Sequence, residues 1–172
     1  YRAAAIKACD WIVGAQDSDG SWARHNFLGA ARVYDTYVAA PLLHMHARTG
    51  DDRYREAAQR NLNWVLTRQR SNGWFADADN TLQHNSRPIT HTMAYTLDGL
   101  IESYMFTRDE RLLVAARCAA DALLAHFVEH GRLGGRYDER WQASEASITT
   151  GCAQMAIVWA RLHALSGEER YA

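Results

Sequence analysis

Proline occurs only twice in the 172 residues and cysteine three times. Little therefore interrupts helix, and no disulfide framework can be drawn, because Cys9, Cys118 and Cys152 are odd in number and scattered. They are expected to be buried thiols; they lack metal-ligand spacing and suit a reducing compartment such as the cytoplasm. Net charge is equally slight, at −1 from 19 basic and 20 acidic residues, so no basic stripe argues for nucleic acid. No apolar run of about 18 residues argues for a membrane span. Neither a Gly-rich phosphate loop nor a nucleophile elbow is present. No metal and no cofactor is expected.

What the chain does have is repetition. Tyr1-Arg2-Ala3-Ala4-Ala5 recurs as Tyr54-Arg55-Glu56-Ala57-Ala58, and in the same register Trp11 meets Trp64, Gln16 meets Gln69 and Gly20 meets Gly73. A second marker, Thr49-Gly50-Asp51-Asp52-Arg53-Tyr54, returns as Thr107-Arg108-Asp109-Glu110-Arg111-Leu112 and as Ser166-Gly167-Glu168-Glu169-Arg170-Tyr171. These copies lie 58 and 59 residues apart, which divides one domain, 1–172, into units of about 1–53, 54–111 and 112–170.

Each unit reads as two helices. In the first, Ala57, Asn61, Trp64, Val65 and Arg68 follow one helical face, while Arg55, Glu56, Gln59 and Arg60 face water. The acidic pairs Asp51-Asp52, Asp109-Glu110 and Glu168-Glu169 suit helix starts, where orphan amides and the dipole favour negative charge, and Thr49, Thr107 and Ser166 suit caps or turns just upstream. Turns follow at Gly20, Gly73 and Gly131. The second helices, over about 33–48, 90–106 and 148–165, are apolar nearly all round, as in Val38-Ala39-Ala40-Pro41-Leu42-Leu43 and Ala153-Gln154-Met155-Ala156-Ile157-Val158-Trp159. Such helices are buried ones; Pro41 should kink the first of them. Half-exposed helices alternating with buried ones predict an all-α fold of nested hairpins: about three hairpins of an α/α toroid, as a half ring or open arc. A plain superhelix of hairpins is the alternative. The long connections near 17–32, 70–89 and 128–147 argue for the toroid. The chain opens inside one helix and stops as another begins, so it is expected to be a piece of a longer ring whose open ends favour a homodimer.

The residues that mark the repeat also carry a resemblance. Trp11-Ile12-x-x-x-Gln16-x-x-x-Gly20-x-Trp22 and Trp64-Val65-x-x-x-Gln69-x-x-x-Gly73-Trp74-Phe75 resemble the aromatic-glutamine repeat of terpenoid cyclases and protein prenyltransferases. Asn72-Gly73-Trp74-Phe75, the run Ile89 to Leu100, Gly135-Arg136-Tyr137-Asp138 and Gly151-Cys152-Ala153-Gln154-Met155-Ala156 look like the six-hairpin toroid proteins of bacterial polysaccharide gene clusters. That superfamily is similar to unsaturated glucuronyl hydrolases, uronate epimerases and polysaccharide lyases. It implies a protein that processes an acidic poly- or oligosaccharide by hydrolase, lyase or epimerase chemistry. A non-catalytic module binding glycan or protein is the second reading, and a terpenoid or prenyl cyclase or transferase fragment the third. For the third, the nearest acidic motif, Asp77-Ala78-Asp79-Asn80, departs at its last position and precedes a turn expected at residues 85–88. No Cys follows an Asp by two residues, as a prenyltransferase zinc site would need.

In a toroid the connections into the inner helices gather at one mouth. Trp74, Asp77, Asp79, Arg87, Tyr137 and Trp141 are the candidate sugar-binding residues there: aromatic faces pack on sugar rings, carboxylates take hydroxyls, and Arg pairs with uronates. Trp11 and Trp64 read as packing residues, and Trp22 with Trp74 as braces between hairpins. At the start of the inner helices lie Tyr34-Asp35, His91-Thr92 and Thr150-Gly151. One turn on, Tyr37, Tyr95 and Gln154 align through the repeat, and deeper, His44, Glu102 and Arg161 coincide as a polar layer. Tyr34 and Gln154 join the substrate-binding candidates. Asp98 is either buried and paired or aimed at the lumen. His91 is the first choice for acid–base work, because an imidazole at a helix N-terminus stays neutral and accepts a proton. Tyr95, four residues on, is its expected partner. Such a pair suits proton abstraction beside a uronate carboxylate, whereas glycoside hydrolysis needs two carboxylates across the cleft.

Overall fold

In the computed structural model, which describes residues 1–84 and 86–172, the repeat becomes three helical hairpins. They are α1 (Arg2–Ala15) with α2 (Thr36–Thr49), α3 (Asp52–Leu66) with α4 (Thr90–Thr107), and α5 (Glu110–His130) with α6 (Thr149–Ser166). Short 3-10 turns break the first connection. The turn expected over 85–88 begins at Asn85, outside the described residues.

The starts of α3 and α5 are built alike, from the repeated marker. Asp51 and Asp109 accept from the backbone N–H of Arg53 and Arg111 at 3.0 and 3.1 Å, each satisfying one orphan donor. Thr49, Thr107 and Ser166 each accept a backbone N–H two residues on, at 3.2 Å. The preceding helices end in left-handed residues: Gly50, Gly167 and, between them in the repeat, Arg108 at φ 57°. There Arg108 carries a steric cost that glycine avoids.

The inner helices α2, α4 and α6 stand side by side, and α3 and α5 cover them from outside. Helix α4 has a neighbour on each flank and is buried along most of its length. The expectation of burial all round fails for α2, which buries only Thr36, Ala39, Ala40, Leu42 and Leu43, and for α6, which buries only Gly151, Met155, Val158 and Leu162, since among the described residues no further helix covers the outer flank of α6. Close approach of α2 and α4 depends on Gly99, where a Cβ would stand 2.7 Å from the Thr36 backbone. Thr36 Oγ1 donates to the Thr96 carbonyl at 3.1 Å across the same contact. Helix α2 runs on through Pro41, which has no N–H to give the Tyr37 carbonyl.

Successive hairpins are joined by the repeated glutamine. Gln16 Nε2 donates to the carbonyls of Gly20 (3.0 Å) and Ala57 (2.8 Å), and Gln69 Nε2 to those of Gly73 (3.0 Å) and Ala115 (2.8 Å). The turn glycines press on the next outer helix: a Cβ at Gly20 would meet the Arg60 carbonyl oxygen at 2.6 Å, and one at Gly73 the Cys118 carbonyl carbon at 2.8 Å. Trp22 and Trp64 are buried as expected, but Trp11 is 60% exposed, its ring meeting only the edge of His25 at 5.2 Å among the described residues. Of the thiols only Cys9 is buried; Cys152 is half-buried and Cys118 exposed.

The three connections lean on one another at the N-terminal ends of the inner helices. Val33 N–H donates to the Asp77 carbonyl (3.2 Å) and Arg32 to that of Leu82 (2.7 Å). Tyr137 N–H donates to Pro88 (3.2 Å) and Thr90 N–H to Gly135 (2.9 Å). They form one mouth above the inner wall.

Candidate functional site

Helix periodicity puts His91, Tyr95, Asp98 and Glu102 on one face of α4, at steps of four, three and four residues. The His91 ring meets Tyr95 edge-on, centroids 4.6 Å apart, and Tyr95 meets Tyr37 of α2 at 4.5 Å. Tyr37 donates its hydroxyl proton to Asp98 Oδ2 at 2.7 Å. From α6, Arg161 pairs with both Asp98 and Glu102, and Glu102 meets His44 Nε2 of α2 at 2.9 Å. The positions aligned by the repeat are thus neighbours in space, and a polar path crosses all three inner helices. A cavity of about 70 Å³ is lined by Tyr37, Tyr95, Asp98 and Gln154. A deeper cleft of about 220 Å³ lies between Tyr37, His44, Asp98, Glu102 and Arg161.

The charges here have identifiable causes. Burial alone would raise Glu102, but hydrogen bonds from Arg161 and His44 outweigh it and hold the carboxyl below its usual range. Burial and the bond to Asp98 push the Tyr37 phenol up to about 12. His91 Nδ1 and Gln154 Oε1 are buried without a hydrogen-bond partner.

The mouth residues fare differently. Trp74 is buried, and its indole donates to the Tyr137 carbonyl at 3.2 Å. Tyr137 is wholly buried; its hydroxyl accepts from Gly134 N–H at 2.8 Å, and its ring lies between His126 and Trp141. Asp79 is 0% exposed and ties its loop together, accepting from Thr81 and Leu82 N–H at 3.0 and 3.1 Å and from Arg136 at 3.1 Å. All three are buried and tie the mouth together through internal hydrogen bonds. Trp141 is half-buried, and its indole donates to the Asn72 carbonyl at 3.0 Å. Asp77 stands 3.8 Å from Arg68. Arg87 is exposed and its Nη2 reaches the Gln142 and Ala143 carbonyls at 3.4 Å. Tyr34 is half-buried, and burial, with the charge of Asp35 beside it, pushes its phenol up.

Asp35 is the residue that sequence reasoning undervalued. It stands at the N-cap position of α2 without a side-chain capping bond, is 5% exposed and accepts from Asn26 Nδ2 at 3.1 and 2.9 Å. Burial pushes it up to about 7, against the opposing influence of Asn26 and Arg32. With Trp11, Trp22, His25 and Val38 it borders a groove of about 270 Å³. A carboxyl titrating near neutrality can serve as a general acid. Its place at a helix start was visible; its burial under the Asn26 loop was not. Among the described residues no group of three or more His, Cys, Asp or Glu could hold a metal ion, and no helix is long and apolar enough to cross a membrane.

No family model and no curated protein matches the sequence. Solved structures do. An unsaturated glucuronyl hydrolase from Bacillus sp. GL1, responsible for the degradation of glycosaminoglycan, superposes with a TM-score of 0.78 at 16% identity, over 99% of this chain and 52% of its own. The fold is that of the α/α toroids. A polysaccharide lyase gives a TM-score of 0.71 at 12% identity, over 97% of this chain and 49% of that one. Cellobiose 2-epimerase from Spirochaeta thermophila gives 0.69 at 13%, over 94% and 47%. The chain therefore spans about half the length of the toroids that it matches, and three hairpins make an arc of the ring. The plain superhelix is set aside.

Proposed function

We propose that the chain forms part of a carbohydrate-processing toroid whose inner wall takes an acidic oligosaccharide, and that His91 with Tyr95 moves a proton in a lyase- or epimerase-type reaction. The observation that carries this reading is the polar path from His91 through Tyr95 and Tyr37 to Asp98, Arg161 and Glu102. Asp98 follows His91 by seven residues, roughly 10 Å along the helix, so a sugar chain lying along α4 can touch both. A uronate near the mouth would meet the first turn of α4, with its positive dipole end, and Arg87 nearby. The His91 side chain, half-buried at the start of α4, is the group that would accept a proton beside that carboxylate. Hydrolysis is the runner-up, with Asp35 as acid, supported by its titration near neutrality. A non-catalytic glycan-binding wall would use the same cleft without turnover. Isoprenoid chemistry calls for a dry aromatic lumen, which the ion pairs of Arg161 do not suit. Apolar side chains on both flanks, Trp11 on one and Ile157 and Leu165 on the other, support self-association at high concentration.

The test is a panel of oligosaccharides with and without uronic acids, followed by ultraviolet absorbance for a new conjugated double bond and by NMR for inversion at carbon. A response confined to uronate-bearing members and lost in His91→Ala, with the helical circular dichroism retained, is the expected result. An unchanged response in His91→Ala removes the proton-transfer role. Binding without turnover in the wild type leaves the glycan-binding reading in its place.

A further inference from the structure

In the deep cleft two carboxylates, Asp98 and Glu102, share the one guanidinium of Arg161. Two carboxylates against one guanidinium leave a net negative charge on these three side chains. Its hydrogen bonding is also one-sided. Arg161 directs its end nitrogens at Asp98 and Glu102. Tyr37 gives its proton to Asp98, so toward a ligand its oxygen accepts. The Tyr37 carbonyl has no helical donor, since residue 41 is proline. The cleft holds about 220 Å³, below the roughly 300 Å³ at which drug-sized pockets begin, and Ala40, Pro41 and Gly99 add no polar side chain.

We propose that this cleft is a subsite for one neutral, hydroxyl-rich sugar ring, and that Asp98 and Glu102 select against a uronate at that position. The inference rests on the carbohydrate reading above and refines it. Sugar hydroxyls donate to the acceptors that line the cleft, and the Tyr37 ring, 46% exposed, offers an apolar face to the C–H face of a pyranose. A carboxylate has no proton to donate and brings a like charge toward Asp98 and Glu102, which costs affinity steeply in a partly desolvated site. Glu102 is charged at neutral pH, because the hydrogen bonds of Arg161 and His44 prevail over its burial. Charge in the substrate then belongs toward the mouth, and the sugar sequence is polarised along α4: anionic near His91, neutral near Glu102.

The test is calorimetric titration at low ionic strength with three trimers of one glucan backbone: all neutral, one terminal glucuronate, and glucuronate throughout. In the wild type the fully charged trimer is expected to bind about tenfold more weakly than the singly charged one, with added salt narrowing the gap. Glu102→Gln keeps an acceptor for Arg161 and His44 but drops the charge, and should close most of the gap; Asp98→Asn should do the same. Fully charged trimer binding as tightly as the singly charged one in the wild type overturns the inference while the carbohydrate reading stands. So does a gap that neither variant changes while melting temperatures stay near that of the wild type. If a variant fails to fold, the wild-type ratio decides alone. Absence of binding by all three trimers overturns the carbohydrate reading itself, and this inference with it.

Discussion

The hydroxyl of Tyr37 on α2 and the carboxylate of Asp98 on α4 are hydrogen-bonded at 2.7 Å, joining two inner helices at the point where the small cavity meets the larger cleft. The bond also orients Asp98 toward Arg161. Tyr37→Phe removes the donor and keeps the ring, while Arg161 still holds Asp98. The expected loss is modest, about 0.5–1.5 kcal/mol in urea denaturation. Affinity for a neutral trimer should fall several-fold, because one acceptor leaves the subsite. Unaltered affinity would show that sugar does not touch this oxygen.

Asp35 makes stability depend on pH in an unusual direction for an aspartate. Its folded value is about 7 against an ordinary 3.8, so between these limits the unfolded chain releases the proton that the folded chain keeps. The stabilisation is fully present below about pH 4, falls as pH rises, and is gone above pH 7. Every tenfold difference in proton affinity between the two states corresponds to roughly 1.4 kcal/mol. Asp35→Asn removes this dependence and is expected to raise the melting temperature relative to wild type at pH 8 but not at pH 4. Equal effects at both pH values would contradict it.

Gly99→Ala tests the helix contact beneath the cleft. Alanine is the better helix former by about 1 kcal/mol, but its methyl would stand 2.7 Å from the Thr36 backbone. Backbone cannot swing aside as a side chain can, so overpacking should win, with a net loss of about 1–3 kcal/mol. A stabilised variant would mean that α2 and α4 are less tightly set than described.

Gln16→Ala and Gln69→Ala each delete two hydrogen bonds to backbone carbonyls. Each should cost about 1–3 kcal/mol by chemical denaturation, and the two losses should add, since they lie at different joints. Gln16→Ala should cost the more, because Gln16 Oε1 also accepts from Arg60 at 2.6 Å.

Much of this was legible in the chain. The hairpins could be drawn because caps and three-four spacing are local signals. The polar wall could be drawn because a repeat places equivalent residues at equal height on neighbouring helices, which brought Tyr37 to Tyr95 and His44 to Glu102. Outward-facing positions were harder: Trp11 and Trp64 share a register, yet Trp64 is covered and Trp11 is not, since the difference lies in the neighbour and not in the residue. The mouth was hardest. An aromatic side chain in a long connection can greet a ligand or fold back over the core, and Trp74 and Tyr137 fold back because their partners, the Tyr137 carbonyl and the Gly134 amide, are main-chain groups that composition does not reveal. Asp35 owes its shifted titration to a loop that periodicity cannot place.

The glutamine joint has one last implication. Gln16 and Gln69 clasp main-chain oxygens of the following helix, and Gly20 and Gly73 abut its main chain too, so the coupling is largely indifferent to which side chains that helix bears. A hairpin cut from one such wall should seat on another with little re-engineering, which makes these arcs natural stock for grafting, tandem duplication and the assembly of chimeric sugar-handling rings.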